Sequence, residues 1–195
     1  MDAEVVTYLD RLREVALDQH GYVASAQALA EGVPRTELSK MVHRGRLDRV
    51  AHGVYQVPQV ITGRYAPYML AVLWTGAPEA CLSHETALQA WDISDINPDR
   101  IHVSVARRRR IDRRGGQGYV VHHCDLEPSQ VTRWEQIPIT DVPTTIGHCI
   151  DWGVPTYLIK QALERAGRTS LLLAHERERL AIRLEERDYG KRPTI

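Results

Sequence analysis

Residues 20–57, HGYVASAQALAEGVPRTELSKMVHRGRLDRVAHGVYQV, constrain the fold more than any other stretch. Ser25 stands where a cap opens a helix whose apolar positions are Ala28 and Leu29, and Gly32 stands just past its end. Pro34 falls in the first turn of a second helix, where a missing N–H is tolerated. There Leu38, Met41 and Val42 recur at i, i+3 and i+4 and predict one buried face. Gly45 stops that helix. Residues 46–50 read as a strand, Ala51-His52-Gly53 as a turn, and residues 54–57 as the returning strand. Two short helices, a tight turn and a hairpin are the layout of a winged helix-turn-helix, whose second helix lies in a DNA groove.

The side chains left on the outside carry the chemistry. Residues 34–64 hold six basic side chains against two acidic ones. Positive charge on a docking helix and a hairpin suits phosphate neutralisation by counterion release. Arg35, Thr36, Ser39 and Lys40 have donors that reach base edges, and His43 shares their face. Arg44, Arg46, Arg49 and His52 are placed to hold the flanking backbone.

The chain as a whole is neutral, with 25 basic and 25 acidic residues, which argues against indiscriminate basic binding. Its charge is unevenly placed. Residues 1–33 hold six acids and two arginines, whereas residues 100–114 hold seven arginines and one aspartate. Two basic zones on a neutral chain predict a defined footprint. The hydrophobic share of 43 % is that of a globular chain. No apolar run reaches the ~20 residues that span a bilayer, and the acidic, amphipathic N-terminus does not read as a signal peptide. Three widely spaced cysteines argue against a disulfide framework, so a cytoplasmic location is expected.

Taken in order, residues 3–18 read as a helix with Val5, Leu9, Leu12, Val15 and Ala16 on one side. PQVITGRYAP, with two prolines and a glycine, marks a boundary. The expected division is 1–58 as a winged helix-turn-helix domain, 59–67 as a linker and 68–195 as a C-terminal domain. Residues 68–74 predict a buried helix, and Ser83 caps a second one over HETALQAW. IHVSV, with Ile101, Val103 and Val105 inward, pairs with YVVHH across a flexible glycine-rich turn at 115–118. IPIT is a third strand that Pro138 places at an edge. A helix follows Pro143, with two more near 155–166 and 170–188; in the last, Leu173, Leu180 and Leu184 align. The fold class expected is α+β: an N-terminal winged helix-turn-helix, then a mixed α/β domain with a small sheet flanked by helices.

Three further constellations bear on function. The run Arg107, Arg108, Arg109, Arg110, Arg113 and Arg114 is either a solvated hairpin tip or a second phosphate-binding element, since close arginines repel without an anionic partner. Cys81 with His84, His122-His123-Cys124 and His148-Cys149 carry zinc-ligand chemistry, but the C-x-x-H spacing is half a motif and no second pair completes it. No metal or other cofactor is therefore expected. Ser83 and His84 offer a nucleophile and a base, yet neighbours on one helix diverge by about 100°. That geometry predicts no working pair and no enzyme. A nucleic-acid-processing enzyme built on the His and Cys residues is the least favoured class.

The segments at 21–58, 82–91 (LSHETALQAW), 101–110 (IHVSVARRRR), 119–123 (YVVHH) and 137–151 resemble the AbiEi family of antitoxins of abortive-infection, type IV toxin–antitoxin systems. The Gly-x-Leu-x-x-Val-x-x-Gly-Val-Tyr run from Gly45 to Tyr55 is the most specific piece. The resemblance implies a bifunctional protein. Its winged domain would repress its own operon at inverted repeats in double-stranded promoter DNA. Its C-terminal domain would counteract a co-encoded nucleotidyltransferase-like toxin. It also implies a basic C-terminal surface, which suits Arg107, Arg108, Arg109 and Arg110. Cooperative binding by monomers or a weak dimer is expected, with no membrane partner. The alternative is an interaction module that binds the toxin without binding DNA.

Overall fold

The computed structural model describes residues 6–190. The fold is α+β, with eight α-helices and two sheets among those residues. Contacts divide the chain into two compact units. The first takes the described residues up to Ala80 together with Arg108–Gln117 and Glu135–Ile137; the second takes the rest.

The first unit opens with helix α1 (Tyr8–Leu17). Thr7 and Asp10 close a reciprocal capping box: Thr7 Oγ1 accepts from the Asp10 N–H, and Asp10 Oδ2 accepts from the Thr7 N–H. Leu12 and Ala16, one turn apart, are fully buried. Residues 3–5 of the expected helix lie outside the described residues. Strand β1 (Tyr22–Ala24) carries no alternation long enough to predict. It is set by pairing, antiparallel to a later strand.

Helices α2 (Ser25–Ala30) and α3 (Arg35–His43) follow. Ser25 does not cap α2, contrary to the sequence reading. Ala24 holds that position, the Gln27 side chain takes the Ala24 N–H, and the Ser25 hydroxyl instead donates to the Gly53 carbonyl at 3.2 Å. Gly32 and Gly45, with φ of +74° and +66°, end the two helices as expected. Strands β2 (Asp48–Ala51) and β3 (Val54–Gln56) form a hairpin. The register slips between Arg49 and Ala51, a bulge that sharpens the local twist. With β1 they make a three-stranded sheet in the order β1-β3-β2.

Leu12, Val23, Ala28, Val33, Leu38, Leu47 and Val57 fill the core between α1–α3 and this sheet. Full burial of each leucine or valine side chain contributes roughly 1.5–3 kcal/mol. Helix α4 (Ala66–Thr75) packs on β1 and β3 and ends at Gly76, φ +68°.

The second unit is built on a five-stranded sheet. Its strands are β4 (Cys81–Leu82), β5 (Ile101–Val105), β6 (Tyr119–His123), β7 (Val131–Trp134) and β8 (Ile137–Thr140), in the order β6-β5-β4-β8-β7. Two expectations change here. IPIT is not an edge strand: β8 lies between β4 and β7. Its contact with β4 is the single pair Leu82–Ile139, so the missing N–H of Pro138 leaves that pairing intact. YVVHH does not form a hairpin with IHVSV either. β5 and β6 run parallel, from Ile101 opposite Tyr119 to Val105 opposite His123. Parallel neighbours need a crossover rather than a turn.

Strand β5 is also buried on both faces, since His102 and Ser104 are as enclosed as Val103 and Val105. Helices α5 (His84–Ala90), α6 (Val142–Trp152), α7 (Thr156–Arg168) and α8 (Ala174–Tyr189) complete the unit. Asp141 caps α6 by accepting from the Thr144 N–H at 2.9 Å. Leu180 and Leu184 of α8 enter the core with Ile146, Ile150 and Ile159. Leu173 does not join them. It precedes α8 and is 59 % exposed, because its backbone is extended where the helix begins.

Candidate nucleic-acid interface

Helix α3 presents two faces. Leu38 and Met41 point into the first unit, while Arg35, Thr36, Ser39, Lys40, His43 and Arg44 are all exposed. Arg46, Arg49 and His52 are exposed on the hairpin and its approach. Two of the expected base-reading groups are internally satisfied. Lys40 Nζ donates to Glu37 Oε1 at 2.7 Å, and the Ser39 hydroxyl donates to the Arg35 carbonyl at 3.2 Å. Glu37, one of the two acids counted among residues 34–64, thus holds the lysine expected to read bases.

The arginine run divides. The Arg107 backbone N–H is held by Asp125 within the second unit. From Arg108 onward the run belongs to the first unit. Arg109 makes a bidentate pair with Glu79, both contacts 2.7 Å, and that pairing favours its charged form. Arg108, Arg110 and Arg114 are exposed. Arg113 is half-buried: its Nη1 donates to the His52 carbonyl at 3.0 Å and to the Trp74 carbonyl at 2.9 Å. Trp74 Nε1 donates to the Arg114 carbonyl at 2.9 Å. Of the glycines beyond, Gly116 is closely packed, whereas Gly115 and Gly118 have open space. A Cβ on Gly116 would lie 2.6 Å from the Trp74 ring, so close packing requires glycine there.

A second cluster lies wholly within the second unit. His84 begins α5, His102 and His122 face each other from β5 and β6, and His148 comes from α6. The His84 ring stacks on His122 at 3.5 Å and on His148 at 4.6 Å between centroids, and Trp152 meets His84, His102 and His122 edge-on. His122 Nε2 and His102 Nδ1 share a hydrogen bond at 3.0 Å. Burial, reinforced by Arg100, pushes His102 down to about 4. Burial and the neighbouring imidazoles push His122 down to about 4 and His84 to about 2. These rings are neutral at pH 7.

The expectation that Ser83 and His84 diverge is overturned. His84 Nδ1 lies 2.9 Å from Ser83 Oγ, and Ser104 Oγ donates to Ser83 Oγ at 2.7 Å. Ser83 is extended and His84 has φ +50°, so neither has the helical backbone that the 100° rule assumes. Ser83 occupies the cap position of α5 but makes no side-chain capping bond. The pair is fully enclosed at Ser83, whose hydroxyl is spent on Ser104 and His84. Cys81 and Cys149 are buried, and burial raises both thiols, Cys81 to about 12. Among the described residues no group of three or more His, Cys, Asp or Glu side chains is arranged to hold a metal ion.

The first unit thus carries an exposed basic helix with an adjoining basic hairpin on a small apolar core. Residues 10–58 match the family model described as "Transcriptional regulator, AbiEi antitoxin". No curated protein matches the chain. Among solved structures it is similar to the crystal structure of RV2827C protein from Mycobacterium tuberculosis, at 13 % identity and a TM-score of 0.42, over 100 % of this chain and 85 % of that one. No helix among the described residues is long and apolar enough to cross a membrane.

Proposed function

We propose that the chain is an antitoxin that also represses its own operon, its first unit serving as a winged helix-turn-helix. The observation that carries this reading is the outward face of α3 and its hairpin, basic and exposed, inside the segment that matches the regulator family. In this reading Arg35, Thr36, Ser39, Lys40 and His43 meet base edges in the major groove. Arg44, Arg46, Arg49 and His52 hold phosphates, with Arg108 and Arg110 beside them. The operator is an inverted repeat in the promoter, occupied cooperatively by two copies with half-sites about one helical turn or a multiple apart. The second domain counteracts a nucleotidyltransferase-like toxin in the cytoplasm, without catalysis of its own.

The test is a gel shift on the promoter. The wild-type chain should bind it in preference to a scrambled duplex, and an Arg35, Lys40 and Arg49 triple alanine variant should lose that binding. Unchanged affinity in the triple variant would falsify the repressor assignment. A stable complex with the toxin and no promoter affinity in the wild-type chain would favour a pure interaction module.

A further inference from the structure

The segment 108–117 is fastened to the hairpin more firmly than a solvated arginine run requires. Arg113 bridges the His52 carbonyl at the hairpin turn and the Trp74 carbonyl in the last turn of α4, where a helix end attracts a cation. Gly76 makes room for it: a Cβ there would lie 1.9 Å from the Arg113 guanidinium. Arg109 is clamped by Glu79, and the Arg114 backbone is pinned through its carbonyl to the Trp74 indole. Against the hairpin this segment encloses a groove of about 560 Å³ lined by Arg49, His52, Asp112, Arg113 and Arg114. Three arginines face one aspartate. Among the described residues no acidic side chain pairs with Arg49 or Arg114, and both are exposed.

We infer that this groove is a seat for a backbone phosphate of duplex DNA, and that segment 108–117 acts as a second wing beside the hairpin. The inference rests on the regulator reading and deepens it. Arg113 and Arg109 are struts that fix the segment's position. Arg49 and Arg114 supply the donors, carried on backbone that is already held, so little ordering remains to be done on binding. The seat lies on the same unit as Arg46 and His52 of the hairpin, which makes a duplex strand running along that unit the fitting source of the phosphate. Contacts of this kind position the protein without reading sequence.

Fluorescence anisotropy with the promoter duplex and a scrambled duplex of equal length, over a potassium chloride series, tests the inference. Arg114→Ala should weaken both duplexes by the same factor and lower the salt slope by about 1. Its side chain is exposed and makes none of the anchoring bonds, so the variant should fold as the wild type does. The Arg49→Ala, Arg114→Ala double variant should lose less than the product of the two single losses, because both side chains serve one phosphate. Wild-type affinity and slope in Arg114→Ala, with discrimination lost in Lys40→Ala, overturns the seat and leaves the repressor reading standing. Absence of duplex binding by the wild-type chain removes both. Inorganic phosphate at matched ionic strength should compete no better than chloride; saturable competition that Arg114→Ala abolishes would assign the groove to a free anion instead.

Discussion

Arg113 Nη1 donates to the backbone carbonyl of His52 at 3.0 Å, tying the middle of an arginine-rich segment to the turn of a hairpin 61 residues earlier in the chain. The same nitrogen reaches the Trp74 carbonyl. A side chain that looks in sequence like one more exposed positive charge is a structural cross-brace. Its burial opposes its charge, and the two carbonyls compensate.

That brace predicts a division of labour among the arginines. Replacing Arg113 by Ala should speed amide hydrogen exchange across residues 108–117 while leaving exchange in α1 and α3 unchanged. Replacing Arg108 or Arg110 should leave exchange in the segment unaltered. Equal exchange in wild type and Arg113→Ala would mean that the loop is held by other contacts.

Gly116 offers a separate check on the same packing. Its absent Cβ leaves room for the Trp74 ring, which an alanine methyl would meet at 2.6 Å. Gly116→Ala should cost about 1–3 kcal/mol in urea denaturation, the usual penalty of overpacking. Gly118→Ala, with nothing within 4 Å of the added carbon, should cost much less. Similar midpoints for the two variants would contradict the packing.

On α3, Glu37 holds Lys40 at 2.7 Å. Glu37→Gln should release that lysine, raise affinity for non-specific duplex and steepen its salt slope by about 1. Discrimination between promoter and scrambled DNA should shrink as a result. A Glu37→Gln variant with wild-type salt dependence would show that the pair opens freely and does not restrain Lys40.

The histidine cluster predicts the pH dependence of the second unit. Folded His102 and His122 titrate near 4, below the ordinary value of 6.5 that an unfolded chain would show. Between pH 6.5 and 4 the unfolded state therefore binds protons that the folded state does not. Stability rises with pH across that window: it is complete above 6.5 and is lost as pH falls towards 4. Each such group contributes a slope of up to about 1.4 kcal/mol per pH unit. Urea midpoints should fall between pH 7.5 and 5, and His122→Asn should flatten the dependence. A wild-type midpoint that stays level over that range would sink the idea.

Core truncation should separate the units. Leu38→Ala and Ile146→Ala each remove a fully buried side chain, from the first and second units respectively. Each should cost about 2–5 kcal/mol. Leu38→Ala should also weaken DNA binding, because α3 loses the contact that orients its outer face. Near-wild-type stability in either variant would show that its site collapses around the missing side chain.

The sequence by itself determined the elements whose reasons are local. Period-3.6 placement of Leu38, Met41 and Val42 defined which side of α3 is buried, and so which side carries Arg35, Lys40 and Arg44. Gly32, Gly45 and Gly53 punctuate the helices and the hairpin because a left-handed backbone is nearly free only for glycine. Tertiary structure decided everything set by partners distant in the chain. β1 is a strand because β3 lies beside it. β5 and β6 run parallel because the chain between Val105 and Tyr119 makes a long crossover rather than a turn. Arg109 and Arg113 are struts because Glu79, His52 and Trp74 happen to be within reach, while Arg108, Arg110 and Arg114 of the same run stay open. Four histidines from two strands and two helices meet although no spacing links them. Periodicity records which way a side chain points from its own element; it carries no information about what stands opposite, and that is where charge, pairing and proton affinity are settled.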